Sequence, residues 1–501
     1  MNSYILAIDQ GTSSTKTLLF DAAGQVVARA SEPLKTHYYG DGFVEQEPDE
    51  IYRNVLTSVG KCIGGFAAEG GSLHDITVCG ISNQRETFVI WNRSGEPLHN
   101  AVVWQCKRSI AVCERLKAQG LEPMIREKTG LFIDPYFSGT KLIWLYENVD
   151  SIRQAVEAGE AYFGTVDTWL LYKLTNGANP GGASYFTDYT NASRTLFFNL
   201  QTLSWDQELL AAFGLTGLNL PIPKPSAASF GESTFNGLFD HAVQLTAMIG
   251  DSHAAAFGEG CFTPGTAKAT LGTGCSIIMN IGSVLKTSDH GMVSTICWST
   301  EDRVDYALEG VIVTCGATIE WLKNSLGLFA ESRETEAMAT AVPDNGGVYV
   351  IPAFSGLGAP YWQMERKASI SGLTFSSTKN HLVRAALESI PYQIKDVILA
   401  MEEDTGISLA ELMVNGGLTS NGFVLQFLAD LLGKSVVNKR MPDISAQGAA
   451  YLAGLKAGIY KDLDQLTRLS AANSCIQPSA DTAYVNEAYA GWLSAVVVNK
   501  P

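Results

Sequence analysis

The sequence has no apolar run near the roughly 20 residues that a bilayer-crossing helix needs, which excludes a helical membrane span. Basic residues are in short supply: 35 Lys and Arg against 51 Asp and Glu leave a formal charge of −16. That field repels nucleic acid and anionic membrane surfaces, and no local basic patch reverses it. Proline is sparse, 17 residues beside 48 glycines, and 46% of the chain is hydrophobic against 17% charged, a balance that excludes disorder and collagen-like repeats. The nine cysteines never form CxxC and the seven histidines form no HExxH, so no dedicated zinc site is expected. Odd in number on a long chain, the cysteines read as reduced thiols of a cytoplasmic protein. The opening MNSYILAIDQ lacks a basic n-region and reaches an acid at Asp9, so it is not expected to act as a signal peptide.

What is present is enough chain for two large α/β domains or about three average ones, 501 residues in all. YILAIDQ, GTSSTK and TLLFDAAGQVVARASEPL read as a strand, a Gly/Ser/Thr turn and two further strands in hairpin order. A dinucleotide-binding unit needs a helix directly after its first strand, so this order argues against a nicotinamide fold. Residues 48–67 open with Pro-Asp-Glu and place Ile51, Val55, Val59 and Ile63 on one face, which predicts an amphipathic helix. ITVCGIS (76–82) and TFVIWN (87–92) read as strands. The pattern returns late, with a strand–glycine turn–strand over 268–282 and a strand at 412–418 entering a double glycine before a helix from Asn421. Two related domains divided near residues 247–251 account for this, with the turn-rich stretch 222–237 read as a connector.

Two acids close strands in the same manner. After Asp9 comes Gln10-Gly11-Thr12-Ser13-Ser14-Thr15-Lys16, a turn whose amides, hydroxyls and ammonium suit phosphate oxygens while Asp9 organises Mg²⁺ or its water; it is not a GxxxxGK[ST] loop. Asp251 follows a strand and opens a predicted helix, the position of a base for phosphoryl transfer. Gly272-Thr273-Gly274 suits terminal phosphates, and Gly416-Gly417 allows close approach of a flat base. Arg85-Glu86 suits a pair of vicinal hydroxyls, with Trp104, Tyr136 and Phe137 as apolar walls. Each feature alone also describes an ordinary turn, cap, salt bridge or core residue. His253 is assigned no role.

Together the stretches AIDQGTSSTK, GISNQRETFVIW, GDSHAAAFG, LGTGCS, YALEG, FSGLGAPYW and NGGLTSNGFVLQFLADLLG, in order along nearly the whole chain, resemble the FGGY carbohydrate kinases, most closely those acting on glycerol. The resemblance implies two ribonuclease H-like α/β domains of the actin and hexokinase type with a catalytic cleft between them. Residues 1–249 would bind the polyol or sugar and 250–501 the nucleotide. It implies ATP and Mg²⁺, phosphorylation of a primary hydroxyl with Asp251 as base, and Asp9 as the metal-organising acid. Arg85, Glu86, Trp104 and Tyr136 match acceptor-contacting positions. Thr12, Ser13, Ser14, Lys16, Gly272, Thr273, Gly316, Gly417 and Asn421 match nucleotide-contacting ones, and the family precedent allows a homodimer.

The departures fall at the acceptor. Ser252 stands where the glycerol pattern has Gln after the base, Ser276 where it has Phe after GTGC, and Lys16 where it has Arg. Glycerol stays the expected acceptor, and two hydroxyls in place of an amide and a ring make a longer one such as erythritol, xylulose or ribulose the alternative. Residues 235–245 lack the glycine-arginine loop tied to fructose 1,6-bisphosphate binding, so that regulation is not expected. An actin-fold nucleotide switch is the alternative from another class; it has no use for the Arg85, Glu86 and Trp104 set.

Overall fold

The computed structural model describes residues 3–176, 182–469, 474–480 and 482–498. Strand β1 (Tyr4–Gln10) carries Ile5, Leu6, Ala7 and Ile8 fully buried, so both its faces are covered. It pairs antiparallel with β2 (Ser14–Phe20), which pairs with β3 (Val26–Pro33), giving the expected meander. Helix α1 (Pro48–Ala68) has Pro48 in its first turn with Asp49 and Glu50, where the dipole favours acids, and buries Ile51, Val55, Val59, Ile63 and Phe66 against this sheet. Next come β4 (Ile76–Asn83), β5 (Ala227–Ser233) and β6 (Val243–Gly250). The spatial order is β5-β6-β4-β1-β2-β3, with β1, β4 and β6 parallel.

Helix α2 (Asp251–Glu259) follows β6 at once and leads to the second sheet. This contains β7 (Thr266–Leu271), β8 (Cys275–Gly282), β9 (Val293–Ser299), β10 (Val304–Ile312), β11 (Glu411–Asn415), β12 (Val436–Asn438) and β13 (Ser474–Ile476) in the order β9-β10-β8-β7-β11-β12-β13. Its centre repeats the first sheet: an antiparallel meander whose first strand, β7, pairs parallel with β11. The long helix α3 (Lys379–Thr405) and α4 (Gly422–Leu432) cover one face.

Between the two sheets lies a shared layer of α2 and α5 (Ile444–Lys456). Its core takes Ile5, Ala7 and Val78 from the first sheet and Ile278, Ala307 and Met413 from the second. The layer is thin because it is built from small residues. A Cβ on Gly448 would lie 1.9 Å from the Ala254 carbonyl oxygen, and one on Gly80 would lie 2.2 Å from that of Ala449. Only glycine permits such backbone contact.

One reading changes. The stretch 222–237 is not merely a connector, because Ala227–Ser233 forms the edge strand β5; its prolines, at 221, 223 and 225, precede the paired residues and mask them. The strand at Phe88–Trp91 belongs to neither main sheet. It joins Phe43–Gln46, Ala101–Val102 and Tyr162–Thr165 in a separate antiparallel sheet that backs the acceptor side of the cleft. All nine cysteines are unpaired and eight are buried. Among the described residues no helix is long and apolar enough to cross a membrane.

Candidate active site

A cleft of about 1650 Å³ opens between the two sheets, lined from the first by Asp9, Lys16 and Arg85 and from the second by Thr273, Ser276 and Glu309. Parallel strands β1, β4 and β6 all end here, which is why Asp9, Arg85 and Asp251 converge although they lie far apart in sequence. Ligands gather at carboxyl ends of such strands.

Asp9 faces the cleft, and Ser82 Oγ donates to its Oδ1 at 3.0 Å. Burial, then the charge of Asp251, pushes its carboxyl up to about 6. Asp251 is the first residue of α2, and the backbone N–H of the next residue, Ser252, donates to its Oδ1 at 2.6 Å. Burial raises its carboxyl above the ordinary range, opposed by Arg85, whose Nε lies 3.5 Å from Oδ1. A buried acid whose carboxyl is pushed up by burial and by the charge of Asp251 suits a divalent cation, and Asp9 would be the residue to hold one.

One wall of the cleft is a buried ion cluster. Arg85 donates both Nη1 and Nη2 to Glu309, at 3.1 and 2.8 Å, and Arg194 Nε donates to Glu86 at 2.5 Å. Arg194 Nη1 lies 2.8 Å from Glu309 without the alignment of a hydrogen bond, so that contact is electrostatic. Burial works against a charge on Glu309, yet Arg194 and Arg85 hold its carboxyl well below the usual range. His253 Nε2 lies 3.1 Å from Arg85 Nη1, and burial with Arg85's charge keeps its ring neutral. Glu86 has φ 58°, a left-handed conformation rare for a residue with a side chain, and Thr87 N donates to Arg85 O at 2.6 Å around it. The strain turns the Glu86 carboxylate into the cluster. Trp104 and Tyr136 form a T-shaped pair at 5.7 Å beside it, with Trp104 Nε1 donating to Thr12 Oγ1 at 2.9 Å.

Ser252 and Ser276 form a polar shelf at the second sheet's end of this wall. Their hydroxyls lie 3.4 Å apart, Lys268 Nζ donates to Ser252 Oγ at 2.8 Å, and Ser276 Oγ donates to Glu309 at 3.3 Å. Lys268 is buried, and burial, followed by Arg85, lowers its ammonium's hold on a proton.

On the nucleotide side, Gly272-Thr273-Gly274 is the β7–β8 turn, closed by Gly272 N donating to Gly274 O at 2.9 Å. Gly416 has φ 98° and sits where a Cβ would meet Leu271 O at 2.5 Å, while Gly417 has open space before it. Four predicted nucleotide residues do not line the cleft. Ser13 is the exposed tip of the first hairpin and Ser14 is held in β2 against Pro33. Gly316 backs the phosphate turn, donating to Gly272 O at 2.9 Å. Asn421 caps α4, accepting from Val424 N at 3.1 Å. Lys16 does line the cleft, but its Nζ is 2.9 Å from Asp443, an interdomain ion pair. Glu309, Arg194, Lys268 and Asp443 were not singled out from the sequence; Glu309 and Lys268 stand inside otherwise apolar strands, whereas Arg194 and Asp443 lie in a turn and at a helix start.

Two ribonuclease H-like sheets facing one cleft, with strand-end acids on one side and a glycine turn on the other, define a sugar or polyol kinase. Models of the FGGY family of carbohydrate kinases match the chain, the N-terminal domain over residues 4–258 and the C-terminal domain over 267–457. The chain belongs to that family. It is 46% identical to the glycerol kinase of Carboxydothermus hydrogenoformans, over 98% of this chain and 97% of that one, and 43% identical to that of Halothermothrix orenii with the same coverage. The crystal structure of Plasmodium falciparum glycerol kinase with ADP superposes with a TM-score of 0.93 at 32% identity, covering 100% of this chain and 99% of that one. A ligand-bound xylulose kinase from Lactobacillus acidophilus shares the fold at TM-score 0.87 and 21% identity, over 99% of each chain.

Proposed function

We propose that the protein transfers the γ-phosphoryl group of ATP to a primary hydroxyl of glycerol, giving glycerol 3-phosphate. The observation that carries the reading is Asp251 at the head of α2, set between the Arg85–Glu309 cluster and the glycine turn. Asp251 takes the hydroxyl proton onto its carboxylate as the oxygen attacks phosphorus. Arg85 keeps that carboxylate aimed and, with Glu86, brackets the two remaining hydroxyls. Trp104 and Tyr136 cover the carbon side and exclude water. The Thr12, Thr273 and Gly274 amides, with Lys16, face the transferring phosphate oxygens, while those of Gly11 and Gly272 close the turns. Mg²⁺, when bound with ATP, neutralises phosphate charge, and Asp9 is the residue that holds it or its water. Residues 1–249 supply most of the acceptor wall and 250–501 the nucleotide side, in a cytoplasmic enzyme that pairs as a homodimer, which sedimentation of the purified protein tests.

A second reading of the acceptor rests on the Ser252–Ser276–Lys268 shelf, which offers hydroxyl and ammonium partners beyond those that three carbons occupy. On that reading the best acceptor is a polyol or ketose of four or five carbons. ADP release with product identification across glycerol, erythritol, xylulose and ribulose decides between the two. Turnover of ATP without any phosphorylated product would overturn both and favour a nucleotide switch.

A further inference from the structure

At the end of the first sheet opposite the cleft, His74 lies in the short turn before β4, and Asp240 and His241 lie in the turn before β6. One nitrogen of each imidazole and a carboxylate oxygen all sit within 4.8 Å of one another. His241 Nε2 is 2.9 Å from the Ile76 carbonyl, which only accepts, so that nitrogen carries the hydrogen. In the neutral ring the lone pair is then on Nδ1, and it faces Asp240 Oδ1 at 3.1 Å. Two acceptors at that distance need a proton or a cation between them. His74 Nε2 completes the set, 3.5 Å from Asp240 Oδ2.

We propose that His74, Asp240 and His241 bind a divalent transition-metal ion, with zinc the best match. Imidazole and carboxylate are its ligands at about 2.0–2.2 Å, which puts tetrahedral ligand atoms roughly 3.4 Å apart; the histidines now approach opposite oxygens of Asp240, at 3.1 Å on Oδ1 and 3.5 Å on Oδ2. The His241 contact to Ile76 O is the backing hydrogen bond that fixes the tautomer of a metal-bound histidine. Its ring is also packed edge-on against buried Phe239 at 5.5 Å, so one ligand is preset. His74 and Asp240 are exposed, at 71% and 72%, and His74 now stacks on His241 at 5.2 Å; rotation of its free side chain closes the set and leaves a fourth position to water. The ion ties together the starts of β4 and β6, the strands that carry Arg85 and Asp251 at their other ends. The length of a strand, roughly 25 Å, separates it from the chemistry. The histidines lie 167 positions apart, which is why spacing motifs do not reveal the site.

The test is calorimetric titration of chelator-treated, untagged full-length protein with Zn²⁺, repeated with His74→Ala and Asp240→Asn, both exposed and outside the cleft. The expected result is one equivalent bound, a higher melting temperature on loading, at least tenfold weaker binding in each variant, and kinase activity equal to wild type in both. Co²⁺ loading should show d–d bands without the thiolate charge-transfer band that binding at Cys475 would give. Equal affinity in wild type and both variants, or a thiolate band, overturns the proposal.

Discussion

Arg85, at the end of a strand in the first sheet, clasps Glu309, in the middle of a strand in the second, with both of its terminal nitrogens. A two-point ion pair therefore spans the domains at the floor of the cleft. Glu309→Gln leaves Arg85 and Arg194 sharing a neutral amide. Breaking a buried pair costs about 3–5 kcal/mol. Urea denaturation of the ligand-free variant should show a loss of that size, and a loss below about 1 kcal/mol would mean the cluster is not a stabilising element.

Asp251→Asn keeps the size of the side chain and removes the proton acceptor. The turnover number should fall by about 10²–10⁴, the usual worth of a general base, while ATP affinity measured by calorimetry stays within a few-fold. Near-normal turnover would remove Asp251 from the mechanism.

Ser276→Phe fills the polar shelf with an apolar ring. If the shelf holds the far end of a longer acceptor, kcat/KM for erythritol and the ketoses should drop at least tenfold and that for glycerol should hold or rise. A parallel drop for all acceptors would show that Ser276 only supports Glu309.

Glu259 is buried at the end of α2, one of its oxygens has no hydrogen-bond partner, and burial pushes its carboxyl up to about 7 from an ordinary 4.5. An acid whose folded-state pKa is raised binds its proton more tightly folded than unfolded, so stability falls as pH rises from 4.5 towards 7 and levels off above it. The shift corresponds to roughly 3 kcal/mol. Melting curves of wild type and Glu259→Gln at pH 5 and pH 8 should show the variant losing less stability between them. Identical pH dependence would place the titration elsewhere.

The backbone frame was legible because local pattern dictates it. An apolar run ending in an acid gives a strand whose last side chain faces a cleft, and Asp9, Asp251 and the helix at 48 all follow from that kind of signal. The partners of Arg85 were not legible. Glu309 lies 224 positions away inside the apolar strand YALEGVI, where nothing local distinguishes a buried ion pair from an edge residue. Asn421 shows a second reading of one pattern: a polar residue after a double glycine matches a ligand contact, and its short side chain also caps the helix it opens. Edge strand β5 was hidden because prolines and glycine around it speak for turns, whereas its pairing with β6 is set by tertiary contact.

Helix α2 joins the last-formed strand of one sheet to the first strand of the other, and Gly258 and Gly448 press it into backbone contact with α5. The pair is an axle running between two plates, and Asp251 sits at its cleft-side end. A hinge usually lies far from the chemistry it controls. Here the contact layer between the plates and the carboxylate proposed as proton acceptor belong to one helix, so a change in the angle between the plates would move Asp251 directly.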